Sequence, residues 1–119
     1  MNASTRSRSP SLPAPGRAVR GSASGRPIMA LLDLLGRRWA LRILWEIRET
    51  TLSFRALQSA CDDISPSVLS RRLGELRAAG IVEHQPAEGY RLSAEGERLL
   101  QMLLPLTRWA EDWSRRQRG

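Results

Sequence analysis

At 119 residues with 41% hydrophobic content, the chain is long enough to bury one core and too short for two, so a single domain is expected. Its formal net charge is +7 and all 19 basic residues are arginine, whose planar fork suits phosphates and base edges better than small acidic substrates. The one cysteine, Cys61, excludes a disulfide within the chain and points to an intracellular setting, and no run approaches the roughly 18 apolar residues of a membrane span.

The charge is unevenly placed. Residues 1–26 carry Arg6, Arg8, Arg17, Arg20 and Arg26 with no acid, among Ser, Pro and Gly, and without the apolar stretch of a secretory signal. They read as a disordered basic arm. Residues 27–119 hold fourteen arginines against twelve acids, so any polyanion affinity there must come from a local cluster. From Pro27, "IMALLDLLG" (28–36) forms a short helix stopped by Gly36, and "RRWALRILWEIRE" (37–49) repeats apolar residues at Trp39, Ile43, Leu44 and Ile47 as a second amphipathic helix. "LSFRALQSACDDIS" (52–65) gives a short extended segment, then a helix capped by Ser53 with Phe54, Leu57 and Cys61 turned inward, then a turn at Asp62 and Asp63.

The next helix has a strong start signal: Ser65 as N-cap and Pro66 at the first helical position, where its missing N–H costs nothing. Leu69, Leu73 and Leu76 recur at i, i+4 and i+7, whereas Ser67, Ser70, Arg71 and Gly74 fall on the opposite side; Gly80 ends the helix. "IVEHQ" (81–85) and "YRL" (90–92) flank "PAEG" and read as a small hairpin. Ser93 then caps a C-terminal helix in which Leu99, Met102, Leu106, Trp109 and Trp113 step like a coiled-coil seam. Pro105 interrupts that helix, so a kink or two abutting helices are expected there.

Two short helices joined by a tight turn, the second with a polar face and followed by a hairpin, match a winged helix-turn-helix, a mainly helical fold with one small hairpin. The second helix of the pair is expected in a DNA major groove, with Arg71 forking to guanine O6 and N7 and Ser65, Ser67 and Ser70 bonding phosphates or base edges. Arg72 and Arg55 suit phosphates, as do Arg37 and Arg38 beside a helix N-terminus, and Arg91 on the hairpin joins this set. An Arg/Ser helix face is ordinarily solvated surface. Here the cap, the turn, the hairpin and the lack of acids between Ile64 and Gly74 favour DNA, although Glu75 borders the face.

"LLDLLGRRWALRILWEI", "FRALQSACDDISPSVLSRRLGELRAAGIVE", "YRLSAEGERLL" and "LLPLTRWAEDW" resemble successive blocks of the HxlR-type winged-helix transcriptional regulators, relatives of the MarR and ArsR groups. The resemblance spans roughly residues 27–113. Its most telling parts are Gly-basic-basic-Trp at 36–39, Ile-Ser-Pro-x-x-Leu-Ser-x-Arg-Leu at 64–73 and Tyr-x-Leu-Ser-x-x-Gly at 90–96. It implies a bacterial, cytoplasmic homodimer on a pseudo-palindromic operator, with Ser65 through Arg72 in the recognition helix. Dimerisation through the first and C-terminal helices would use Leu31, Leu35, Leu99, Met102, Leu106, Trp109 and Trp113 and would bury apolar surface too broad for so small a domain. Three features depart from the family. The pair Arg26-Pro27 replaces a frequent Cys-Pro, which removes thiol sensing at that site; the hairpin tip is short and carries Glu88; Arg42 and Trp45 stand where an aliphatic and a polar residue are expected.

No nucleophile and base pair or metal set is evident, so an enzyme is not expected, and no cofactor is implied. Cys61 reads as a small buried hydrophobe and His84 as a lone strand histidine without zinc-binding companions. A small-molecule effector of unknown identity could occupy a pocket between dimer halves near Trp39, Trp109 and Trp113. Two other readings remain at this point: a protein-interaction module on a winged-helix scaffold, and a sequence-independent DNA binder driven by the basic arm.

Overall fold

The computed structural model describes residues 26–119, so the expected basic arm lies outside the described residues except for Arg26. The described chain runs α1 (Pro27–Leu35), α2 (Ala40–Glu46), α3 (Phe54–Ala60), α4 (Pro66–Ala78), β1 (Val82–Gln85), β2 (Gly89–Leu92), α5 (Ala94–Leu103) and α6 (Pro105–Arg118). This is the winged helix-turn-helix order that the sequence predicts.

Serine caps set three of the helix starts. Ser53 Oγ accepts from the Ala56 N–H at 3.1 Å, Ser65 Oγ from Val68 at 3.3 Å and Ser93 Oγ from Gly96 at 2.9 Å, each satisfying a donor the helix leaves unpaired. Pro66 occupies the first turn of α4. Between α3 and α4 the turn is made by Asp62 and Asp63, both left-handed with φ of 57° and 58°, a conformation that aspartate tolerates better than most residues. Gln58 secures it: its carbonyl accepts from the Asp63 N–H at 2.9 Å, and its amide nitrogen donates to the Ile64 carbonyl at 2.9 Å.

The second helix is shorter than its periodicity suggests. It begins at Ala40 rather than Arg37, because Trp39 adopts a left-handed φ of 78° and residues 36–39 form a turn. The helical spacing of Trp39 to Ile43 runs across that turn, where the backbone is not helical.

The hairpin pairs Val82 with Leu92 and Gln85 with Gly89, and Ala87 in its tip has a φ of 71°. Leu52 adds a bridge to Tyr90, so the extended segment before α3 supplies a third line of backbone pairing. Gly89 is needed for that approach: a Cβ there would sit 2.2 Å from the Leu52 carbonyl oxygen. At the other end of the hairpin, Ser93 Oγ donates to the Gly80 carbonyl at 2.6 Å, and Gly96 brings α5 against the Ile81 carbonyl.

One apolar core joins all the helices up to α5 and the hairpin, with Ile43, Leu57, Cys61, Leu69 and Leu76 fully buried at its centre. Leu35 belongs to this core. Expected at a subunit contact, it is instead buried within its own chain, because α1 turns it toward the body while Leu32 faces out. Leu31 and Leu99 pack partly against the core, whereas Met102, Leu106, Trp109 and Trp113 are exposed. Pro105 separates α5 from α6 as two abutting helices, and α6 buries no residue at all.

Two glycines should respond in opposite ways to alanine. Gly96→Ala would place a Cβ 2.1 Å from the Ile81 carbonyl oxygen and should cost about 2 kcal/mol or more in urea unfolding. Gly74→Ala meets nothing within 4 Å inside α4 and should stabilise by about 1 kcal/mol.

Candidate nucleic-acid interface

The two sides of α4 differ as the sequence predicts. Leu69 and Leu76 are fully buried and Leu73 nearly so, while Ser65, Ser67, Ser70, Arg71 and Gly74 are exposed. Ser65 Oγ is occupied by its capping bond, but the hydroxyls of Ser67 and Ser70 and the Arg71 guanidinium have no hydrogen bond or ion pair within the described residues. Arg55, at the start of α3, is likewise exposed and unpaired among them. A convex polar rod anchored by leucines from behind can present donors and acceptors to the edges of base pairs without disturbing the core.

Arg37 and Arg72, expected as phosphate contacts, do something else. Glu75 on α4 is 2% exposed, a carboxylate taken almost wholly out of water. Arg37 Nη1 lies 3.1 Å from it and Arg72 Nη1 3.3 Å, so two guanidinium groups neutralise one buried charge. Arg37 also reaches Asp33 on α1 at 2.7 Å, and Arg72 Nε donates to the Arg38 carbonyl at 2.8 Å. The cluster runs from α1 through the 36–39 turn to α4. Both arginines therefore act as joints within the body, tying α4 to the turn after α1. Glu75, read from the sequence as an acid bordering the polar face, is the buried residue that periodicity missed; at about 100° per residue it lies well off the leucine stripe, and no local signal marks it as buried.

The remaining expected contacts are mixed. Arg38 is exposed, with its guanidinium carbon 5.7 Å from the Trp39 ring centroid. Arg91 on β2 is held by Glu83 on β1 at 3.1 Å, both side chains about half exposed. With Glu83 and Glu88 against Arg91, the hairpin offers little net attraction to phosphates; His84 stacks on Tyr90 at 4.4 Å between centroids.

Arg42, where an aliphatic residue was expected, braces the turn of the helix-turn-helix from α2. It pairs with Glu46 at 2.8 Å, donates to the Ala60 carbonyl at 2.7 Å and reaches Asp62 at 3.3 Å. The hydrogen bond to Glu46, with the charges of Asp62 and Glu46, holds the guanidinium above its ordinary pKa. Burial pushes the Cys61 thiol above its ordinary value, as expected of a small core residue rather than a reactive one.

A cleft of about 380 Å³ lies between α1, the end of α4 and α5, lined by Leu31, Ala79, Ile81, Glu95, Arg98, Leu99 and Met102. It contains none of the three tryptophans expected around an effector. Trp109 and Trp113 stack on each other, 6.0 Å between centroids, on the exposed face of α6. Among the described residues no group of three or more His, Cys, Asp or Glu side chains could hold a metal ion, and no helix is long and apolar enough to cross a membrane.

Residues 34–118 match the model of the HxlR-like helix-turn-helix family. The chain is 32% identical over 90 residues to the HTH-type transcriptional regulator YdzF of Bacillus subtilis, covering 70% of this chain and 83% of that one. It is 28% identical over 88 residues to YvaP of the same organism, covering 69% and 82%. Its fold is similar to that of quinone-bound YodB from B. subtilis, with a TM-score of 0.66, 28% identity, and coverage of 71% of this chain and 94% of that one.

Removing one member of the buried cluster strands the others. Glu75→Ala should cost about 3 kcal/mol in chemical unfolding, because it leaves Arg37 and Arg72 facing an unfilled, desolvated position. The Cys61 thiol should react with iodoacetamide at least about a hundredfold more slowly in the native chain than in urea. Since its folded pKa is raised, its contribution to stability is intact below the ordinary thiol range and should decline as pH rises through it, which urea midpoints at pH 7 and above would register.

Proposed function

Because the chain belongs to the HxlR-like helix-turn-helix family of transcriptional regulators, we propose that it acts as a sequence-specific homodimer on a pseudo-palindromic operator, reading DNA with α4. The observation that carries this reading is the unpaired, exposed polar face of α4 set directly over its buried leucines. Arg71 is the base-reading residue, forking to a guanine in the major groove. Ser67 and Ser70 contact bases or phosphates beside it, Ser65 offers its position at the helix N-terminus to a phosphate, and Arg55 contacts the backbone from α3. Arg91 is a lesser contact, since Glu83 holds it, and the arginines of residues 1–26 add sequence-independent affinity.

Dimerisation uses the apolar surface that α1, α5 and α6 leave open. Leu106 and Trp109 are each 57% exposed and Met102 is 75% exposed, with Leu31, Leu99 and Trp113 continuing the seam. Pairing two copies along these helices would bury that surface and set two α4 helices about 34 Å apart, one turn of DNA. The protein would work in the cytoplasm, where its operator is, and no catalytic step forms part of the reading. An effector is part of it: YodB has a quinone-bound structure, and the cleft beside Leu31, Leu99 and Met102 adjoins the proposed subunit contact. With Cys61 fully buried, such a ligand would bind here without a covalent bond to that thiol.

Gel-shift titrations against a selected operator and a scrambled duplex test the assignment. Arg71→Ala should weaken operator binding by about 1 to 3 kcal/mol and relax base preference at one position, while Arg55→Ala should weaken both duplexes alike and flatten the salt dependence by about one contact. Equal operator binding by Arg71→Ala and the wild-type chain would sink the role given to α4.

A further inference from the structure

The outer face of α2 carries a stripe that the DNA-reading arrangement does not use. Leu41 and Trp45 stand one helical turn apart, so their side chains are neighbours, and they are 48% and 38% exposed. Arginines bracket them. The Arg48 guanidinium carbon lies 3.9 Å from the Trp45 ring centroid, and Arg38 lines a groove of about 370 Å³ with Leu35, Arg37, Trp39, Leu41 and Arg42. Within this group Arg37 and Arg42 are neutralised by Asp33, Glu75, Glu46 and Asp62. Arg38 and Arg48 form no ion pair among the described residues. The result is an apolar centre with an uncompensated positive charge at each end, and its tryptophan and arginines are the residue types that dominate binding energy at protein interfaces.

We propose that this stripe docks an acidic amphipathic segment of another polypeptide, one carrying two large apolar side chains three or four residues apart with Asp or Glu on both sides. Along α2 the stripe runs about 10 Å at helical rise, with Arg38 and Arg48 just beyond its two ends, a span that about two to three turns of a partner helix cover. Its apolar side chains cover Leu41 and Trp45, and its acids meet Arg38 and Arg48. Other occupants fit less well. A second copy packed about a two-fold axis here would bring the same arginines together as like charges. A DNA duplex would engage the arginines but leave Leu41 and Trp45 in water. The chain's own first 25 residues contain no acid and would oppose the same charges. Trp45, unexpected on a face where a polar residue would be ordinary, gains a purpose under this reading.

The test is a phage-displayed library of random 16-residue peptides panned on the immobilised full chain, followed by anisotropy titrations of the selected peptides. The expected peptides pair two large apolar residues at a spacing of three or four with flanking acids. Trp45→Ala should weaken them about tenfold or more, and Arg38→Gln with Arg48→Gln should weaken them several-fold and abolish their salt dependence. Trp45 lies outside the set of expected DNA contacts, so Trp45→Ala should keep the wild-type operator affinity, which separates this surface from the one on α4. Failure to select any peptide, selection of neutral or basic peptides, or equal binding by Trp45→Ala would overturn the proposal. So would a Trp45→Ala chain that sediments at half the wild-type mass, since the stripe would then be a contact between copies.

Discussion

Burying the Glu75 carboxylate sets the posture of α4. An ionised group sealed from water is unfavourable unless its charge is met, and here it is met from two directions, by Arg72 on the same helix and by Arg37 from the turn after α1. The leucines of α4 hold the helix against the core but would permit it to slide or rotate among similar apolar packings. An ion pair with fixed donors does not permit this. Arg72 also spends its Nε on the Arg38 carbonyl, which ties the backbone of that turn to the same helix. The cluster thereby converts a general apolar attachment into one defined orientation, and the direction in which Ser67, Ser70 and Arg71 face follows from it.

That constraint also links the regions assigned different tasks. Asp33 extends the cluster into α1, the helix whose outward residues Ile28 and Leu32 are open to solvent. Arg37 thus links α1 to Glu75 through the turn that carries it. Arg42 does comparable work at the turn of the reading unit, joining α2 to the last turn of α3 and to Asp62 in the left-handed turn. The helix-turn-helix is therefore held by polar braces at its turn and on α4 and by the buried leucines of both helices, a stiff mounting for the exposed face of α4.

Much of this was readable from the sequence where the signal is local. Ser53, Ser65 and Ser93 cap the helices they were expected to cap, Pro66 opens α4, the hairpin lies where its turn residues put it, and Pro105 divides the C-terminal helix. These features depend on a few adjacent residues, so one stretch of sequence contains the whole cause. What escaped depends on partners far apart. Nothing near Glu75 announces that Arg37, 38 positions earlier, will neutralise it, and an arginine's sequence neighbours do not reveal whether its fork turns inward or outward. Trp39 looked like the first rung of a helix because its spacing to Ile43 is helical, yet its left-handed backbone places it in a turn. Leu35, expected at a subunit contact from the family resemblance, is instead claimed by the body's own core.

The same distinction governs how charge should be weighed in an arginine-rich chain. The excess of basic residues in 27–119 is small, and several of those arginines are already committed: Arg37 and Arg72 to Glu75, Arg42 to Glu46 and Asp62, Arg91 to Glu83, Arg98 to Glu95. The exposed pairs among them contribute little to stability, but each lowers the field that a phosphate would feel. What remains free is sorted by place. Among the arginines without an ion pair, Arg71 and Arg55 stand on the helix-turn-helix, while Arg38 and Arg48 flank an apolar pair on α2, Arg48 donating to the Trp45 carbonyl at 2.8 Å. Identical side chains thus present two different chemistries: a donor fork among hydroxyls, suited to base edges and phosphates, and a charge beside a tryptophan, suited to an acidic polypeptide. The neighbours of each arginine, not the number of arginines, decide which partner the surface can accept.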